Sequence, residues 1–224
     1  MNRIVSREEW LKERKQLLRD EKAFTRLKDA MAARRRDMPW VLIEKDYRFS
    51  TNNGERSLLN LFGDYSQLII YHFMYGPEAE DGCLGCSEVA DNFNGILWHL
   101  NTRDANLVAV SRAPLKTLQS YRSRMEWDFE WVSSEESDFN YDFNVSYDNS
   151  SPSPKQFNFR SVTAEIGETH GVSVFIKDDE NNIYHTYTCH ERGTDILCSN
   201  MQYLDLLPKG RQDDLYWSNP TRRN

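Results

Sequence analysis

The chain has 224 residues, a net charge of −7, 39% apolar residues and 12% aromatic ones. That apolar share can fill a core and excludes a globally disordered chain, and the acidic balance excludes whole-molecule affinity for nucleic acid, so no nucleic-acid partner is expected. No run approaches the roughly 18 apolar residues that cross a bilayer, and residues 1–6 lack the apolar core of a signal peptide, so no membrane partner and a cytoplasmic location are expected.

The charge is unevenly spread. Residues 1–38 carry twelve Lys and Arg against seven Asp and Glu, which leaves about −12 on the rest of the chain. Ser6 and Glu9 have the spacing of a capping box. Beyond them Trp10, Leu17, Phe24 and Met31 recur every seven residues. This predicts a long amphipathic helix that ends before Pro39. Its stripe packs on its own domain or forms a homodimer through the N-terminal helix; a few heptads do not decide between them. The expected organisation is a helical extension over 1–38 and one domain over 39–224.

Asn52-Asn53-Gly54 between Tyr47-Arg48-Phe49 and Ser57-Leu58 predicts a hairpin. A short helical turn is expected over 58–62. The near-continuous apolar run Leu68 to Met74 predicts a buried central strand. A loop over 75–82 leads to Cys83-Leu84-Gly85-Cys86, and Val89, Phe93, Ile96, Leu97 and Leu100 continue at helical spacing. A second buried strand is expected at Leu107 to Ser111, then a helix opened by Pro114 and a short strand at Phe129 to Val132. This order predicts a right-handed βαβ core with parallel strands. Residues 146–170, rich in Ser, Pro and Asn, read as a surface insertion ending in a short helix. Val172 to Ile176 and Ile183 to Tyr187 flank an Asp/Asn-rich turn and predict an antiparallel hairpin. A last helix is expected over 194–206.

Four cysteines are present: Cys83, Cys86, Cys189 and Cys198. In a reducing compartment a close CxxC pair points to redox chemistry or metal binding, with simple packing as the third reading. Backbone N–H groups where a strand gives way to a helix favour a thiolate at the first cysteine. Cys83 would then be the nucleophile and Cys86 the resolving thiol, acting on a disulfide substrate or a redox partner protein. Glu78, Glu80 and Asp81 would raise the thiol pKa if they lie close. A lone CxxC cannot complete a four-ligand zinc site, but two thiolates and an imidazole suit Cu(I). The candidate histidines are His72, in the strand before the loop and also readable as a core histidine, and His170, just before the second hairpin. Cys189 and Cys198 read as small apolar fillers. No nicotinamide or flavin fingerprint is present, so the exchange reading needs no cofactor; copper belongs to the alternative.

Several ordered motifs resemble one family. They include Ser6-Arg7-Glu8-Glu9-Trp10, Pro39-Trp40-Val41, Glu44-Lys45-Asp46-Tyr47 and Tyr71-His72-Phe73-Met74-Tyr75-Gly76-Pro77. Cys83-x-x-Cys86-Ser87, Val108-Ala109-Val110-Ser111-Arg112-Ala113-Pro114, Trp131-Val132-Ser133-Ser134, Asp138-Phe139-Asn140-Tyr141-Asp142-Phe143 and Tyr203-Leu204-Asp205-Leu206 continue the match. Together they resemble the thioredoxin-like domain-of-unknown-function family often labelled predicted dithiol–disulfide oxidoreductases. The resemblance covers nearly the whole chain outside about 146–168. It implies an α/β, thioredoxin-like mixed central sheet flanked by helices, with Cys83 and Cys86 at the first helix of the βαβ unit. Thioredoxins carry a cis-proline facing their cysteines, where this chain has Thr169-His170-Gly171-Val172. That stretch is similar to Sco-type copper chaperones, which implies Cys83, Cys86 and His170 as the ligands of the copper alternative. Peroxiredoxins place a threonine three residues before the reactive cysteine; Glu80 at that position argues against a peroxidase.

Overall fold

The structure, a computed structural model, describes residues 2–150, 154–163 and 167–213. The chain divides into two compact units, 1–39 and 40–224. The first is built on one helix, α1 (Arg7–Arg36), whose Ser6 side chain accepts a hydrogen bond from the Glu9 N–H. Glu8 and Glu9 in its first turn and Arg34 to Arg36 in its last complement the helix dipole. Trp10, Leu17, Phe24 and Met31 are exposed, and no residue of α1 is buried.

The second unit opens with β1 (Val41–Leu42), then β2 (Arg48–Thr51) and β3 (Gly54–Ser57), the expected hairpin. Gly54 closes its turn at φ +92°, a conformation that favours glycine. There follow α2 (Leu58–Leu61), β4 (Gln67–His72), α3 (Leu84–Ala90), α4 (Leu97–Asn101), β5 (Ala105–Ser111), α5 (Leu115–Arg124), β6 (Glu130–Ser133) and α6 (Phe139–Asp142). After β7 (Lys155–Phe157) and β8 (Arg160–Val162) come β9 (Gly171–Lys177) and β10 (Ile183–His190). A 3-10 segment (Glu191–Leu197) and α7 (Ser199–Leu204) close the described chain.

The main sheet runs β1-β10-β9-β4-β5-β6-β2-β3. β4 pairs in parallel with β5 and antiparallel with β9, and β5 pairs in parallel with β6. This mixed sheet with flanking helices is the thioredoxin-like fold class that the sequence predicts.

The pleat sorts side chains to two cores. Tyr71 and Phe73, Leu107 and Ala109, Trp131, and Val172 face one. Leu68 and Ile70, Val108 and Val110, Val132, and Phe175 face the other. Both faces are covered, which is why the central strands read as continuous apolar runs. Burying each large side chain contributes about 1.5–3 kcal/mol.

Three expectations are corrected. The helical spacing from Val89 to Leu100 is not one helix: α3 ends at Ala90 and α4 begins at Leu97. Asn92 and Asn94 divert their amides to the carbonyls of Glu88 and Glu126, and Gly95 turns the chain at φ +82°. The Asn92 bond, made four residues back, competes with helix propagation, while Asn94 ties the chain to the segment after α5. The described part of 146–170 carries the β7–β8 hairpin in place of a short helix. The last helix breaks at Cys198 (φ −101°, ψ 90°), with 3-10 structure before it.

Candidate active site

β4 ends where the chain must cross from the sheet to α3, beside the parallel strand β5, which leads on to α5. Ligand crevices in α/β sheets form outside the carboxyl ends of such strands, where neighbouring connections diverge. Hydrogen bonds tie these strand ends together. The Trp131 indole N–H donates to Ser111 Oγ at 3.0 Å, and Ser111 Oγ donates to the Phe73 carbonyl at 2.7 Å. The Ala113 N–H reaches the Tyr75 carbonyl at 2.9 Å.

Cys83 is the N-cap of α3 and Cys86 lies inside its first turn. Ser87 holds this turn from behind: its Oγ donates to the Cys83 carbonyl at 3.0 Å and lies 2.8 Å from the Tyr121 hydroxyl on α5. Gly82 passes so close to Tyr121 and Phe73 that a Cβ there would stand 2.9 and 3.1 Å from their rings.

The two sulfurs differ sharply. Cys83 is part-exposed and Cys86 is buried, and both are free thiols. The Cys83 thiol is lowered to about 6, chiefly by a hydrogen bond from the Cys86 thiol. Partial burial opposes this, and the backbone N–H groups of Cys86 and Gly85 add to it. Burial pushes the Cys86 thiol well above its usual value, and the adjacent Cys83 adds to that. Tyr71, through its hydroxyl, and the Met74 N–H, 3.4 Å from Cys86 Sγ, pull the other way. Glu78, Glu80 and Asp81 do not raise Cys83; Asp81 is taken up by Arg124 at 2.5 Å.

Cys83 and Cys86 open on a cavity of about 480 Å³, with Met74, Val89 and Met201 among its apolar lining. His170 lines the same cavity, its Nε2 3.4 Å from the Glu191 carbonyl, and burial lowers its pKa. Among the described residues, no group of three or more His, Cys, Asp or Glu side chains stands close enough to hold a metal ion.

His72 is a core histidine on the opposite face of the sheet. Its Nε2 lies 2.9 Å from Ser173 Oγ, and its ring stacks on Phe139 at 5.4 Å. Cys189 and Cys198 are buried in the same apolar cluster as Cys86. Burial pushes the Cys198 thiol up to about 12.

Sequence reasoning missed Tyr71, Tyr121, Met201 and Arg211. Tyr71 shares the period-2 face of Phe73, the sequence signal that turns it toward the same core. Met201 and Arg211 arrive from more than 100 residues downstream, with no local pattern to announce them.

The family model described as bacterial protein of unknown function (DUF899) matches residues 1–224. The chain belongs to this family. No curated protein matches it. Among solved structures it is similar to peroxiredoxin Q of Xanthomonas campestris. One such structure has 16% identity and a TM-score of 0.50, and the match covers 75% of this chain and 98% of that one. A second has 15% identity and a TM-score of 0.51 over the same shares. Peroxidoxin BcpB of Mycobacterium tuberculosis is 12% identical, with 75% and 97% covered and a TM-score of 0.48. The two peroxiredoxin Q matches support the thioredoxin-like fold, and at this identity nothing finer.

Proposed function

We propose that the protein is a thiol–disulfide oxidoreductase, with Cys83 as nucleophile and Cys86 as resolving thiol. The observation that carries this is the asymmetry of the pair: an accessible sulfur lowered to about 6 beside a buried one held protonated.

At neutral pH Cys83 is largely thiolate, the reactive form. It attacks one sulfur of a disulfide, forming a mixed disulfide and expelling the other half as a thiolate that takes a proton from solvent. Cys86 then loses its proton and attacks Cys83 Sγ. The retained half leaves as a thiol, and a Cys83–Cys86 disulfide remains. One substrate disulfide has gained two electrons and the protein dithiol has lost them. A dithiol reductant returns the enzyme to its starting state by the reverse steps.

The test is to offer bis(hydroxyethyl) disulfide with a dithiol reductant. Turnover should be lost in Cys83→Ser. Cys86→Ser should stop after the first step and accumulate a mixed disulfide at Cys83, visible as a mass increase. Undiminished turnover in Cys83→Ser would overturn the proposal.

A further inference from the structure

Cys83 stands where two cavities meet. Met74 and Cys83 line both the cavity of about 480 Å³ and a second one of about 630 Å³ that runs along Gly76, Pro77 and Arg112. In disulfide exchange the attacking, attacked and departing sulfurs lie in line, so the two halves of the substrate project in different directions from the nucleophile. A cavity on each side of Cys83 suits that requirement.

Both cavities are acidic. The first is lined by Glu88, Glu191, Asp195 and Asp213 against Arg192 and Arg211, with Arg160 reaching Glu191 at 3.4 Å from outside the lining. The second has Glu78, Asp81 and Glu168 against Arg112, with Asp81 paired to Arg124 outside the lining, which still leaves an acidic excess at Glu78. No lysine is among the described lining residues of either. Each arginine is already engaged: Arg192 and Arg211 with Asp195 at 2.9 Å, and Arg112 with Glu168 at 2.9 Å. An anionic ligand would have to break one of these pairs to be recognised. Glu78 has no ion-pair partner among the described residues. The surrounding chain beyond residue 38 carries about −12, so the wider field has the same sign.

We infer that this site selects its disulfide by charge, taking substrates whose disulfide is flanked by positive groups and rejecting anionic ones. The inference rests on the exchange reading above. A cationic disulfide is drawn into the acidic groove and toward the Cys83 thiolate, while an anionic one meets carboxylates on both sides. Charged clefts of this kind change association rates by tenfold or more at low ionic strength, and salt removes the effect.

The experiment uses full-length, pre-reduced protein. Its oxidation rate is measured with cystamine (a dication), bis(hydroxyethyl) disulfide (neutral) and dithiodiglycolate (a dianion). Each rate is divided by that of the same disulfide with free dithiothreitol, which removes intrinsic reactivity. Cystamine should exceed dithiodiglycolate by about tenfold at low salt, the ratio should shrink at about 0.5 M salt, and Glu78→Lys should narrow it. Equal or inverted ratios, with all three disulfides oxidising Cys83, would overturn charge selection and leave the exchange chemistry standing. Failure of all three to oxidise Cys83 would overturn the exchange reading and the selection with it.

Discussion

At the scale of single residues, the lowered thiol of Cys83 rests mainly on one neighbour. The Cys86 thiol donates to it, ahead of the backbone N–H groups. Alkylation of Cys83 should therefore rise with a midpoint near pH 6, against about 8.5 for an ordinary thiol. Cys86→Ala removes the leading donor, so its midpoint should move upward; an unchanged midpoint would assign the effect to the backbone alone. The depressed pKa also has a stability consequence. Between about pH 6 and about 8.5 the unfolded chain holds a proton that the folded Cys83 has released, so the dithiol form gains stability as pH rises through that window. His72 has the same sign lower down. Burial lowers it to about 3 from 6.5, so the unfolded state binds the extra proton between those values. The urea midpoint should fall as pH drops from about 6.5 toward 4, and His72→Gln should blunt that fall. A slope unaltered by the substitution would place the titrating group elsewhere.

At the scale of elements, the turn before α3 is held by aromatic packing. Tyr121 and Phe73 leave room at Gly82 only for a hydrogen. Gly82→Ala should cost about 1–3 kcal/mol of stability, measured as a loweredurea midpoint, because neither buried ring can move without disturbing its neighbours. A neutral result would mean that the loop yields instead. This part of the fold was partly legible from the chain itself. β4 and β5 announce themselves because both sheet faces are covered, and the CxxC falls where the apolar run stops and helical spacing begins. The break between α3 and α4 was not legible. Val89, Phe93, Ile96 and Leu97 all turn toward one core, so their spacing persists across a turn made by Asn92, Asn94 and Gly95. Periodicity reports which side chains face a core, whatever backbone delivers them. The same limit explains His72. Its strand position alternates away from Tyr71 and Phe73, and the structure puts it on Phe139 and Ser173 rather than beside the cysteines.

At the scale of the whole molecule, the surroundings of the Cys83–Cys86 pair are assembled from distant parts of the second unit. β4 supplies Tyr71, α3 the two cysteines, α5 Tyr121, and the segments after β10 supply Met201 and Arg211. No described helix is long and apolar enough to cross a membrane. Cys189 and Cys198 share the apolar cluster with Cys86, yet burial holds the Cys198 thiol near 12, far from a reactive range. Under the proposed exchange chemistry, one pair among the four thiols is therefore reversible. A redox titration of the full-length protein in dithiothreitol buffers, with the cross-linked peptides mapped by mass spectrometry, puts that pair to the test. The expected result is the reversible loss of two thiols as a single Cys83–Cys86 disulfide, with Cys189 and Cys198 still reduced. A cross-link that excludes Cys83, or no reversible disulfide at any potential, would contradict it.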